Sequence, residues 1–297
     1  MYPKVITVCQ RKGGSAKTTT ARYVAEYLAR FKKLRVLSMD LDNQANLSML
    51  LLSMEGNGDR IMPPLFPGYD PQNNPEDREW GGRASTADLI ETGFFAAYDV
   101  TTPTPIPGWE ICPADSVALY KLAQHDDAAV RNGVVENLRF NIEACCQDYD
   151  VIVIDTGPTT NSLLLAAIKA ATHVLIPFVP EPQSSKGLGE MLALVRRENE
   201  SRPASMPEVQ MLGILPSKVD KRLSIHAGIL ESMARSPIYS KFMIPFWVPD
   251  RAIFKELDSE QPSPSSIFEV PKRKDSDLRE YMISACEHIY QKIWGTN

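Results

Sequence analysis

The stretch Gln10 to Thr20, QRKGGSAKTTT, concentrates the residue types that bind a phosphate group. Gly13 and Gly14 let the backbone turn sharply and aim amide N–H groups at an anion. Lys17 adds a point charge and Thr18 a hydroxyl able to hold Mg²⁺, while a helix starting there adds the positive end of its dipole. Two further segments carry acidic residues of matching chemistry: Asp40-Leu41-Asp42-Asn43-Gln44-Ala45-Asn46, and Asp155 at the end of Val151-Ile152-Val153-Ile154. A carboxylate there can bind Mg²⁺ directly or through water.

The elements that must position these residues are legible around them. Val5 to Cys9 has the length and β-branched content of a buried parallel strand, and Thr18 to Leu28 has apolar residues at helical spacing. Lys33 to Asp40 reads as a second strand, and Tyr149 to Asp155 as a third. Acidic residues at the carboxyl ends of parallel strands lie where open sheets bind ligands. Asp42 and Asn43 could equally cap the helix that runs through Leu47 to Leu51. Further on, Asn161 to Ala171 reads as a helix, Thr172 to Pro177 as a strand, and Pro180 to Leu188 as the opening of another helix. Met211 to Pro216 follows as a strand, then Phe242 to Pro245 with Val248-Pro249 as a last strand and turn. This alternation predicts an α/β fold with a doubly wound, mainly parallel sheet flanked by helices.

The whole chain, 1–297, is expected to form one domain. Residues 55–84 break the pattern with clustered proline and glycine. A structureless stretch of that length far exceeds the usual connection of ~4–6 residues, so it reads as a mobile excursion or a partner-binding loop. Near the end, Gln261 to Ser266 reads as a linker, Pro271-Lys272-Arg273-Lys274 as a basic cluster, and 276–294 as a C-terminal helix.

Composition narrows the class. Apolar and charged fractions of 43% and 23% suit a globular protein. No apolar run reaches the roughly 18 residues of a membrane span, and the chain opens without a signal-peptide pattern, so a cytoplasmic location is expected. The five cysteines lack C-x-x-C spacing and read as reduced thiols. The four histidines form no ligand cluster, and His173, at the start of an apolar strand, reads as structural. A net charge of −5 requires any nucleic-acid contact to come from a local basic patch.

The loop departs from the common G-x-x-x-x-G-K-[ST] pattern, with Arg11 and Ala16 at the two glycine positions. It resembles instead the deviant Walker A motif, K-G-G-x-x-K-[ST], of the ParA/MinD-type ATPases. The Asp40–Asn46 segment resembles that family's D-x-D-P-Q-x-N motif, with Asn43 in place of proline, and Asp155 stands where its Walker B aspartate would. The resemblance covers nearly the whole chain apart from the insertion and the tail.

It implies ATP/ADP with Mg²⁺ as cofactors, held by Lys12, Gly13, Gly14, Ser15, Ala16, Lys17, Thr18 and Thr19, with Thr18 and Asp155 toward the metal. It assigns hydrolysis to Lys12, Lys17 and Asp42, the last placing the attacking water. Lys12 would reach across a homodimer that sandwiches ATP, making a switch that partitions plasmids, chromosomes or other cargo over the nucleoid. Nonspecific double-stranded DNA and a ParB-like adaptor would be its partners, with DNA contacts from Lys221, Arg222, Arg251 and Lys255. Ile253 stands where a basic residue would be expected. Since no helix-turn-helix precedes the first strand, sequence-specific operator binding is not expected.

Four alternatives stand beside this reading. A MinD-like membrane switch would need a basic amphipathic C-terminal helix, whereas Leu278 to Trp294 has only Arg279 and Lys292 as cations, so no stable membrane association is expected. A nitrogenase-type iron–sulfur reductase would need cysteines near Thr156-Gly157-Pro158, where there are none. A metabolic amidoligase of the same architecture is disfavoured by Lys12 and the D-x-D segment. A non-hydrolysing ParA-like scaffold follows if the Ala16 Cβ crowds the phosphates.

Overall fold

The computed structural model describes residues 2–101, 105–257, 266–270 and 272–295, and all of their side chains except those of 57, 185, 255 and 272–277. The N-terminal part runs β1 (Lys4–Val8), α1 (Lys17–Lys32), β2 (Val36–Leu41), α2 (Asn46–Leu51), β3 (Glu55–Asn57), β4 (Arg60–Met62), α3 (Asp77–Trp80) and α4 (Thr86–Thr92). The middle comprises β5 (Tyr98–Asp99), β6 (Trp109–Cys112), α5 (Ser116–Gln124), α6 (Ala128–Cys145), β7 (Val151–Thr156) and α7 (Ser162–Ala170). Then come β8 (His173–Phe178), α8 (Ser184–Ser201), β9 (Gln210–Pro216), α9 (Ser224–Arg235), α10 (Ala252–Leu257) and α11 (Lys272–Trp294).

The main sheet has the order β5-β6-β2-β7-β1-β8-β9. Every pairing is parallel except the short β5 edge, which runs antiparallel to β6. The doubly wound expectation therefore holds. Continuous apolar runs such as β7 arise because both faces are covered. Val151 and Val153 face α1 and α11, while Ile152 and Ile154 face α4 to α7. All four are fully buried, each contributing roughly 1.5–3 kcal/mol of hydrophobic stabilisation. A third cluster, with Val174, Ile176 and Phe178, seats α8 against β8 and β9.

The chain leaves β1 toward β2 on one side and later passes from β7 to β8 on the other. That reversal opens a crevice at the carboxyl ends of β1, β7 and β2, where Val8, Asp155 and Asp40 stand level in the strand register.

Three expectations need correction. Residues 55–84 are not structureless. They form a β3–β4 hairpin, turned at Gly58 (φ 63°), and the short helix α3. Phe66 packs on Trp80 and Tyr98 with ring centroids 5.3 and 5.2 Å apart, and Trp80 packs on Phe94 at 5.3 Å. Arg83 bridges to Glu55 at 2.7 Å, and Arg60 pairs with Asp115 at the start of α5. These aromatic anchors recur at no regular interval, so periodicity could not reveal them.

The expected last strand is likewise absent. Phe242 to Pro245 and Val248-Pro249 make single parallel bridges, Ile214 to Met243 and Val219 to Pro249. Pro245 and Pro249 lack the N–H that a ladder needs. The C-terminal helix begins earlier than expected, at Lys272. The linker positions 261–265, Pro271 and the side chains of Lys272, Arg273 and Lys274 lie outside the described residues. All five cysteines are free thiols, and only Cys145 is exposed.

Candidate functional site

The loop from Gln10 to Ala16 joins β1 to α1 at the mouth of the crevice. Gly14 and Ala16 both adopt left-handed backbone, at φ 70° and 67°. Ala16 is the N-cap of α1 and offers no side-chain hydrogen bond, so the first N–H groups of this helix are left for an external acceptor. The first intrahelical bond runs from the Thr20 N–H to the Ala16 carbonyl at 2.9 Å.

Lys17 is 7% exposed, and its ammonium makes one long hydrogen bond, 3.4 Å to the Lys12 carbonyl. Burial pushes its pKa down, opposed by Asp155 and Asp42. Thr18 Oγ1 donates to Asp155 Oδ2 at 2.6 Å. Asp155 is fully buried, and that burial, with Asp40 beside it in the register, pushes its carboxyl well above the usual range. Asp40 is raised to about 6 by burial, against hydrogen bonds from Ser48 and from the Asp42 N–H. Three carboxylates with one buried lysine leave the crevice short of positive charge.

Phosphate and Mg²⁺ fit this arrangement. A Cβ built on Gly13 or Gly14 meets open space, and Ser15 Oγ is buried without a hydrogen-bond partner. Among the described residues no group of three or more acidic, His or Cys side chains is arranged to hold a metal alone. That suits a Mg²⁺ that takes one or two protein oxygens and fills its shell with phosphate and water.

Asp42 and Asn43 do not cap α2. The N-cap is Ala45 in left-handed backbone, and the N3 amide, Ser48 N–H, is satisfied from a distance by Asp40 Oδ2 at 2.9 Å. Asp42 Oδ1 accepts the Gln44 N–H at 3.0 Å and lies 3.3 Å from where a Cβ on Gly157 would stand. Gly157 thus permits the turn after β7 to approach Asp42. The sequence assigns Asp155 to the metal but gives Gly157 no role, although a glycine two residues beyond that carboxylate was the available signal for the close approach.

Lys12, by contrast, sits at the rim. Its side chain is 28% exposed and bonds Glu181 and Ser184 Oγ, the latter at 3.2 Å. Neither partner was singled out from the sequence.

The expected DNA residues form a separate group. The Val219–Pro249 bridge brings the two basic loops side by side. Lys221 Nζ stands 4.1 Å from the centre of the Trp247 ring, and Arg222 is already paired with Asp220 at 2.7 Å. Arg251 is exposed. The Lys255 side chain lies outside the described residues.

Fold and loop together define a P-loop nucleotide-binding protein of the deviant Walker type. A family model described as an AAA domain matches residues 3–206, which is more than half of the chain. The chain belongs to this family, within its ParA group. Protein IncC of Escherichia coli is 26% identical over 98% of this chain and 70% of its own length. A ParA family protein of Chlamydia trachomatis is 28% identical over 68% of this chain and 69% of its own. Two rhizobial relatives are longer, and the chain spans only 54% and 43% of their lengths.

Among solved structures, apo McdA from Cyanothece superposes with a TM-score of 0.71 at 17% identity, covering 97% of this chain and 99% of that one. Cobyrinic acid a,c-diamide synthase from Mycobacterium smegmatis, with an ATP analogue and magnesium, gives a TM-score of 0.64 at 22% identity over 99% and 97%. At these identities both establish the fold alone. Among the described residues no helix is long and apolar enough to cross a membrane.

Proposed function

We propose that this protein is an ATP-dependent dimerising switch that positions DNA or another cargo by binding DNA nonspecifically, with a ParB-like adaptor stimulating slow hydrolysis. The observation that carries the reading is the division of labour between two lysines of one loop. Lys17 lies buried against the site's own carboxylates, while Lys12 stands partly exposed at the rim, paired with Glu181 and Ser184 on the outer side of the loop.

ATP with Mg²⁺ would supply a phosphoanhydride bond and a divalent charge. Around it, the loop amides from Gly13 to Thr19 and the Lys17 ammonium would bind phosphate oxygens, Thr18 Oγ1 and Asp155 would hold the metal, and Asp42 would orient water. The ParA family protein among the relatives supports the positioning role that the resemblance implies. The synthase neighbour shares the fold, and the Lys12-Gly13-Gly14 sequence favours the switch over a metabolic ligase. The buried Leu278, Met282, Cys286 and Ile289 commit one face of α11 to the core, which weighs against a membrane-seeking helix.

The test is DNA binding with ATP, with ADP and without nucleotide, titrated against salt, in wild type and Lys12→Ala. Binding that needs ATP, weakens steeply with salt and is lost in Lys12→Ala is the expected result. ATP binding without DNA affinity would refute the DNA-positioning role. In the same assay Asp42→Asn is expected to retain ATP-dependent DNA binding while turnover falls about 100-fold, the usual weight of a residue that handles the attacking water's proton.

A further inference from the structure

The first three residues of the phosphate loop meet one side of a single helix and the turn before it. Lys12 bonds Glu181 and Ser184, Arg11 pairs with Glu190, and Gln10 Oε1 would stand 3.0 Å from a Cβ at Gly187. The partners 181, 184, 187 and 190 recur every third residue, so the last three form one stripe along α8. Glu181 joins them through the turn that precedes the helix, where the Ser184 N–H donates to its carbonyl at 2.9 Å. Gly187 lets that stripe approach the loop, because a Cβ there would press on the Gln10 side chain.

We propose that this stripe is a clasp acting within one subunit: Glu181 and Ser184 hold Lys12, Glu190 holds Arg11, and a nucleotide-bound partner must draw Lys12 away from Glu181 before the dimer closes. The inference rests on the dimerising reading given above. One ammonium cannot serve Glu181 and a partner's phosphates together, so the two contacts compete. The clasp is built to open. The Lys12–Glu181 pair is 28% and 49% exposed, and the Arg11–Glu190 pair 41% and 36%. Ion pairs so wet contribute little stability, unlike a buried pair whose rupture strands a charge. Once Lys12 leaves, the Glu181 carboxylate faces the incoming phosphates with like charge. Its removal should therefore favour the closed dimer.

The test uses the full chain with Glu181→Gln, with Glu181→Gln/Glu190→Gln, and with each placed on Lys12→Ala. Trace acylation of nucleotide-free protein, read by mass spectrometry against the exposed Lys121, reports whether Lys12 is held. Sedimentation against ATP concentration reports dimer closure. Lys12 is expected to acylate about three- to five-fold faster in Glu181→Gln, with half-maximal dimerisation at a similarly lower ATP concentration, the size expected of an exposed ion pair. On Lys12→Ala, Glu181→Gln is expected to change nothing.

Equal acylation in wild type and Glu181→Gln would overturn the clasp whether or not the protein dimerises. Faster acylation with an unchanged or higher ATP requirement would overturn the competition. Faster acylation with no dimer at saturating ATP in either protein would overturn the dimerising reading, and the competition with it.

Discussion

Thr18 Oγ1 donates a 2.6 Å hydrogen bond to Asp155 Oδ2, tying the first turn of α1 to the end of β7 across 137 residues of sequence. The bond joins the two side chains proposed to face Mg²⁺. It also gives one acceptor's satisfaction to a carboxylate that is otherwise fully buried beside Asp40.

Asp155→Asn should separate stability from function. Burial and the neighbouring Asp40 disfavour the ionised carboxylate, so a neutral amide is expected to stabilise the nucleotide-free protein by about 1 kcal/mol or more. Mg²⁺-dependent nucleotide affinity should fall at least about ten-fold in both Asp155→Asn and Thr18→Ala. Denaturant melts and fluorescent-nucleotide titrations with and without Mg²⁺ would check this. Destabilisation by Asp155→Asn would mean that the charge is better solvated than its burial implies.

Ala16 holds φ 67°, a conformation that disfavours any Cβ. Ala16→Gly relieves about 1 kcal/mol of backbone strain but gives the unfolded chain more freedom, so the net gain in stability should lie between about 0 and 1 kcal/mol. Because the alanine already occupies the left-handed well that a glycine would use, ATP affinity should change by no more than about three-fold. A hundred-fold gain in affinity would instead make Ala16 the mark of a disabled site.

His173 titrates against folding. Burial, with Lys4 nearby, lowers its pKa to about 4, from about 6.5 in the unfolded chain. Above pH 6.5 both states are neutral and the residue contributes no slope. As pH falls from 6.5 to 4 the unfolded chain takes up a proton that the folded chain resists, and stability falls by up to roughly 3 kcal/mol. Below pH 4 both states are protonated and the slope ends. Asp40, raised to about 6, takes up its proton in the folded state over much of this range with the opposite sign, so the check is a difference: in urea melts from pH 7.5 to 4, wild type should lose up to roughly 3 kcal/mol more stability than His173→Asn.

Trp80 anchors the folded insertion through its ring contacts with Phe66, Tyr69 and Phe94 and an indole N–H bond to the Arg83 carbonyl at 2.9 Å. Trp80→Ala should cost about 1–3 kcal/mol, less than a fully buried tryptophan, and should expose residues 55–84 to protease. Nucleotide binding should persist, since none of these contacts reaches the phosphate loop. Unchanged proteolysis would show that the hairpin and ion pairs suffice to hold the segment.

How far the sequence reaches depends on whether an interaction is local. A phosphate loop is built from neighbouring backbone groups, so Lys12 to Thr19 announce it by type and order. The strands ending in Asp40 and Asp155 are equally legible, because burial on both faces of β7 demands an unbroken apolar run before the carboxylate. Contacts between distant segments leave no such trace. Asp40 satisfies the α2 amide that lies within capping distance of Asp42 and Asn43 in sequence, and scattered aromatics turn what reads as a loop at 55–84 into packed structure. The proline-bearing stretch after Ser240 joins the sheet edge only through isolated bridges.

By itself, then, the sequence determined the class of fold, the phosphate loop and the two carboxylate-bearing strand ends, because each is written in adjacent residues. Only the tertiary structure decided what Lys12 holds. Its partner Glu181 lies 169 residues away, and the packing of α8 on β8, which no local pattern specifies, brings the two together.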